Sequence, residues 1–126
     1  MGQSGNGSGA GVRNSGKGLV EYNQIINSGY IGVQLGGDYA VIKNNLIDSF
    51  CLVKDDGAGI YTSNGSNRTN KGRKISGNII LNGIGAGAGT PNSASSSAEG
   101  IYMDDNTNGV ETVSYTHLTL PTTPYV

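Results

Sequence analysis

The sequence predicts an all-β chain whose short strands wind as a solenoid of about three coils. Three observations predict it. Apolar residues fall in runs of three to six, rich in Ile and Val and bounded by Gly, Asn, Asp and Ser, which is strand composition with turn punctuation. Two short motifs alternate along residues 19–111, each copy of the first followed by one of the second. No window supplies the ten or more residues of 3.6 periodicity that a helix needs without several glycines, of which the chain has 22 in 126 residues.

The elements follow in chain order. Residues 1–18 (MGQSGNGSGAGVRNSGKG) hold no apolar run longer than one or two residues; the expectation is a Gly/Ser-rich loop or frayed end. The first motif, Asn followed by an apolar pair, occurs as Asn23-Gln24-Ile25-Ile26, Asn45-Leu46-Ile47-Asp48 and Asn78-Ile79-Ile80-Leu81, with separations of 22 and 33 residues. The second, Gly, a β-branched residue, then a polar or aromatic one, occurs as Gly32-Val33-Gln34-Leu35, Gly59-Ile60-Tyr61-Thr62 and Gly100-Ile101-Tyr102-Met103. The predicted strands are 24–26, 30–35, 40–42, 59–62, 78–81 and 100–103. A constant unit with variable loops is the pattern of stacked coils, each adding strands in parallel to its neighbours. The loops are the polar stretch SNGSNRTNKGRK before Ile75 and an insertion that opens with GIGAGAG and ends near Ala98. GIGAGAG lacks the Lys-Ser/Thr of a phosphate loop.

Composition removes several function classes. Eight basic and nine acidic residues give no electrostatic footprint for nucleic acid or an anionic membrane. A single Cys excludes an internal disulfide and a multi-thiolate zinc site. No run nears the roughly 18 apolar residues of a membrane span, and residues 1–20 carry no signal-peptide stretch. Cys51, within Phe50-Cys51-Leu52-Val53, reads as a small buried hydrophobe.

YNQIINSGYIGVQL, KNNLIDSFCLVKDDGAGIYT and SGNIILNG…AEGIYMDDNTNGVE resemble the repeats of right-handed parallel β-helix proteins of the pectate-lyase-like superfamily. The likeness spans residues 19–111. It implies an incomplete right-handed parallel β-helix, a piece of a larger secreted protein, extracellular or on the cell surface. The implied activity is on polysaccharide, as a lyase or glycosidase; the alternative is a non-catalytic module that binds glycans or serves as a surface or tail spacer. A few coils with both ends open expose strand edges, so residues 1–112 alone are expected to aggregate or unfold easily. In such proteins a corner Asn stacks on the Asn of the next coil, which nominates Asn23, Asn45 and Asn78; the same residues also suit ordinary left-handed turn positions.

Chemistry rests on carboxylates. Asp55-Asp56 precede Gly57, and Asp104-Asp105 follow Met103. Side chains alternate along a strand, so one of each pair should face solvent. Coils stacked at about 4.8 Å would bring such groups to the 5 to 9 Å that glycoside hydrolysis asks of its two carboxyls, with Glu99 and Asp48 as further members. Asp55, Asp56, Asp104 and Asp105 are thus the catalytic candidates; DDG and DDNTNG are equally turn sequences in which Asp and Asn cap backbone amides. Asp104 and Asp105 are also candidate calcium ligands, because D-x-N-x-N-G opens an EF-hand loop, although a strand precedes it and its twelfth position would be Tyr115. Tyr61 and Tyr102, equivalent in the second motif, are candidates for stacking on sugar rings. Arg73, in a basic cluster with Arg68, Lys71 and Lys74, is the candidate for a uronate carboxylate, a role the resemblance implies.

The grammar stops near Thr112. Residues 112–126 contain no Gly, Asn or charge, but two of the three prolines and the lone histidine. VSYTHLTLPT, residues 113–122, is similar in all ten positions to a translated transposon-type sequencing adapter, read as GTC TCT TAT ACA CAT CTG ACG CTG CCG ACG. On that resemblance the tail is library DNA, and His117 is neither a base nor a ligand.

Overall fold

The computed structural model describes residues 9–65, 69–86, 97–113 and 116–118. These contain twelve strands and no helix: β1 (Val12–Asn14), β2 (Leu19–Glu21), β3 (Gln24–Ile26), β4 (Val33–Leu35), β5 (Val41–Lys43), β6 (Leu46–Phe50), β7 (Gly57–Ser63), β8 (Arg73–Ser76), β9 (Ile79–Gly83), β10 (Ala98–Asp104), β11 (Val110–Val113) and β12 (Thr116–Leu118). They form three four-stranded sheets, β1-β4-β7-β10 (sheet A), β2-β5-β8-β11 (sheet B) and β3-β6-β9-β12 (sheet C). Every pairing is parallel. The chain visits the sheets in rotation, each circuit adding one strand to each, an arrangement consistent with a β-helix-like solenoid.

Four circuits are present where about three were expected. The additional one lies partly in the segment read as a loop: Val12 pairs with Val33, and the Gly11 and Val12 amides donate to Ile31 and Gly32 carbonyls at 2.9 and 3.0 Å. Gly11-Val12-Arg13-Asn14 is a further copy of the second motif. It escapes notice because its apolar content is one Val, whose burial is completed by the next circuit. The insertion expected from Gly83 to Ala98 falls mostly outside the described residues, as does Arg68.

Register explains the motifs. Val12, Val33, Ile60 and Ile101 align in sheet A. Val20, Ile42 and Ile75 align in sheet B, and Ile25, Ile47 and Ile80 in sheet C. These columns form the core; being β-branched, they suit the pleat and stack on their own kind. The invariant Gly of the second motif has a steric cause. A Cβ at Gly32 would lie 2.5 Å from the Gly59 carbonyl oxygen and 2.7 Å from Ile47 Cγ2; one at Gly59 would lie 2.6 Å from Ile80 Cγ2. The Ile column of sheet C fills the space that side chains on sheet A would need.

Corners repeat in step. Tyr22, Asn44 and Gly77 adopt positive φ just before the Asn column, and Asn27, just past β3, and Ser49 and Asn82, near the ends of β6 and β9, do so on sheet C. Asn23, Asn45 and Asn78 are not themselves left-handed, and they form the ladder. The Asn23 and Asn45 amides donate to Asn45 and Asn78 Oδ1, each at 3.0 Å. Asn45 Nδ2 donates to Val20 O and Lys43 O, and Asn78 Nδ2 to Ile42 O and Ser76 O. Each side chain thereby satisfies the backbone of two successive circuits.

Candidate functional site on the outer face of sheet A

Because Val12, Val33, Ile60 and Ile101 face the core, alternation turns Arg13, Gln34, Tyr61 and Tyr102 outward. Register aligns these four in one column across the sheet. Arg13 donates through Nη2 to Gln34 Oε1 at 2.8 Å. Tyr61 and Tyr102 meet edge to face, centroids 5.5 Å apart. The Tyr61 hydroxyl donates to Asp104 Oδ2 at 2.9 Å. Burial first, then the bond to Asp104, pushes the Tyr61 phenol up to about 12, so it stays a donor at neutral pH. Burial and Asp104 raise Tyr102 in the same direction.

Two clefts of about 270 and 310 Å³ share Arg13 and Gln34. The first is walled by Tyr30, Ile31 and Tyr61, the second by Asn14, Leu35 and Ser63. Tyr30 closes one end: its hydroxyl donates to the Asp56 carbonyl at 2.7 Å, and Lys54 Nζ sits 4.5 Å from its ring centre. Burial, then Asp56, pushes this phenol up to about 12. The face therefore offers aromatic edges, a guanidinium and amide groups along one line. Arg13 and Gln34 were missed as candidates; the signal was the polar third position of each second-motif copy, legible once Gly11-Val12 is included.

The carboxylates do not assemble as expected. Asp55 and Asp56 precede β7, while Asp104 ends β10 and pairs with Ser63 at the far end of β7. Across circuits, Asp56 sits beside Ser97, whose carbonyl accepts its amide. Strand register thus places neither Asp104 nor Asp56 opposite another aspartate. Asp55 is buried at 3% exposure and Asp56 is exposed, so one of that pair does face solvent, and Asp105 does so in the other. Glu99 is exposed beside Ala58. Asp48 Oδ1 accepts from Asn82 Nδ2 and Ser49 Oγ, a turn-capping role.

The loop after β10 is organised as a turn. Asp104 Oδ1 accepts the Asp105 amide at 2.8 Å, and its backbone carbonyl accepts from the Thr107 amide and hydroxyl. Asn106 Nδ2 donates to the Gly65 carbonyl, and Asn108 Oδ1 accepts the Asn70 amide. Asp104 Oδ1, Asp104 Oδ2 and Asn108 Oδ1 thus each hold an N–H or O–H donor. Among the described residues no three His, Cys, Asp or Glu side chains cluster.

Arg73 also differs from expectation. It shares the interior face of β8 with Ile75 and is 1% exposed. It donates to Thr62 Oγ1 at 2.9 Å, to Asn64 Oδ1 at 3.2 Å and to the Asn108 carbonyl. Burial lowers its pKa from the ordinary value, with Asp38 opposing. A buried guanidinium tying the 62–64 and 104–109 segments together is not placed to meet a polymer on the surface. Cys51 is fully buried, and burial, then Asp55, pushes its thiol up to about 12, leaving it protonated and inert at neutral pH.

Compared with known proteins, the chain matches no family model, no curated protein and no solved structure.

Proposed function

We propose that the chain is a segment of a right-handed parallel β-helix from a secreted protein and that the outer face of sheet A binds an extended polysaccharide. The handedness follows from the strong preference of parallel crossover connections. The binding reading is carried by the Arg13, Gln34, Tyr61, Tyr102 column, which runs across four strands and joins two clefts. Aromatic edges beside hydrogen-bonding side chains suit sugar rings, whose faces are apolar and whose rims are hydroxylated. Binding without turnover is favoured over lyase or glycosidase action because register sets Asp104 beside Ser63, at the opposite end of β7 from Asp55 and Asp56. Asp104 then serves to orient the Tyr61 hydroxyl.

The test is titration of the full chain with neutral and uronate-rich polysaccharides, with product analysis alongside. Saturable binding that is weakened at least tenfold by Tyr61→Ala and Arg13→Ala, with no cleavage, is the expected result. Cleavage abolished by Asp104→Asn would replace this reading with the enzymatic one.

The tail from residue 113 is best read as translated adapter. Support comes from register: His117 follows Ile80 in a column otherwise filled by Ile. Codons for residues 113–122 that depart from the adapter at several synonymous positions would end that reading.

A further inference from the structure

We infer that Asn64 is a site of self-catalysed deamidation, driven by Arg73. Three features meet there. Asn64 is followed by Gly65, which carries no side chain to hinder attack and is exposed to water. The Asn64 Oδ1 lies 3.2 Å from Arg73 Nη2. The Gly65 amide, the attacking group, is held by a long bond, to Ser63 Oγ at 3.3 Å.

In the reaction the Gly65 nitrogen attacks Asn64 Cγ and the carbonyl electron pair moves onto Oδ1, beside the guanidinium. A fixed cation at the point where negative charge develops lowers the barrier. The intermediate collapses by breaking the Cγ–Nδ2 bond, and ammonia leaves with the Gly65 proton. Water then opens the succinimide to aspartate or isoaspartate. Amide and water become carboxylate and ammonium, with no oxidant or reductant.

The product answers an electrostatic deficit. Arg73 is buried, its Nε–H has no hydrogen-bond partner, and the ion pairs found among the described residues are Lys43–Glu21 and Lys74–Glu111. Buried charges ordinarily have a counter-ion. A carboxylate at position 64 supplies one.

Of the three other Asn-Gly pairs in the chain, the two among the described residues serve as internal comparators. Asn82 donates to Asp48 at 2.9 Å, and Asn108 accepts from the Asn70 amide at 2.8 Å. The folded full-length chain is aged in mildly alkaline buffer and peptide-mapped by mass spectrometry. Asn64 is expected to convert about tenfold faster than Asn82 and Asn108, the scale of one hydrogen bond to a charged group. Arg73→Gln should bring it to the rate of Asn82; Asn108, whose carbonyl also accepts from Arg73, is not used for that comparison. Because Arg73→Gln could unfold the chain, the thermal midpoint of Asn64→Asp is measured in parallel and should exceed the parent's. Equal conversion at the three sites of the folded chain, or an Asn64→Asp variant no more stable than the parent, overturns the inference.

Discussion

Asn45→Ala removes the middle rung of the ladder and should cost about 4 kcal/mol. Asn45 is buried; its Oδ1 accepts the Asn23 amide, and its Nδ2 serves Val20 O, Lys43 O and Asn78 Oδ1 at 2.9 to 3.0 Å. Its Oδ1 also accepts from Asn23 Nδ2 at 3.1 Å, and its two N–H protons are shared among the three acceptors, so two accepted and two donated bonds are lost, each worth about 1 kcal/mol net. Asn23→Ala, at an exposed end of the ladder, should cost about 1 kcal/mol, since water replaces what is lost. Asn45→Asp is the sharper variant. It keeps the shape and the bond from the Asn23 amide, but turns an oxygen toward three acceptors, so it should be worse than Ala at neutral pH. Protonation supplies one donor, so the folded state favours the acid form. The deficit should therefore shrink as pH falls through the raised pKa of the new carboxyl. Urea unfolding followed by circular dichroism reads the loss as a shift in midpoint at constant slope. Equal small losses at positions 23 and 45, or an Asn45→Asp protein as stable as its parent, would refute the ladder as a source of stability and leave these residues as ordinary turn formers.

Gly32→Ala should destabilise by about 1–3 kcal/mol, because the new methyl meets the Gly59 carbonyl, which cannot swing aside as a side chain can; the new methyl of Gly36→Ala meets nothing nearer than the Asn14 carbonyl oxygen at 4.0 Å, so thermal melts should rank the two clearly. Alkali should unfold the protein: Tyr30 and Tyr61 titrate near 10 unfolded and about 12 folded, so their contribution is full below pH 10 and is lost as pH rises toward 12. The double replacement by Phe should flatten stability across that window in pH-jump denaturation curves. Thr112→Val should stabilise by about 1 kcal/mol in the same urea assay, since the buried Thr112 hydroxyl has no partner and its column neighbours are Ile; a loss of stability would count against the register of β11.

Much of the fold was legible because its determinants are local in sequence and repeated. Gly32 and Gly59 recur before a β-branched residue because one Ile column opposes both, and Gly100 is opposed by His117, which follows Ile80 in that column. Asn23, Asn45 and Asn78 recur because each circuit leaves the same backbone groups to satisfy. Strands such as β8 were less visible: Arg73-Lys74-Ile75-Ser76 contains one apolar residue, and its strand character comes from pairing with Val41, Ile42 and Lys43 on the neighbouring circuit. β1 was missed for the same reason. A strand stabilised by its neighbours need not advertise itself.

The site was legible only in part, for a reason of register. Tyr61 and Tyr102 were found because equivalent motif positions must stack when circuits are parallel. The aspartates were not placed by the motifs, because nearness to a motif is not equivalence between copies. Asp55-Asp56 precede the second motif and Asp104-Asp105 follow it, so stacking circuits in register separates them by the length of β7. Arg73 failed differently. Its sequence neighbours are polar, which reads as a solvated loop, yet the interior corner that it fills holds Ala40 one circuit earlier and Val110 one later. A long cationic side chain occupies that corner because Thr62 Oγ1, Asn64 Oδ1 and the Asn108 carbonyl converge on it. Those acceptors lie 9 and 11 residues before it and 35 after. In a solenoid, a residue's chemical surroundings come from the circuits above and below, and function is read along columns rather than along the chain.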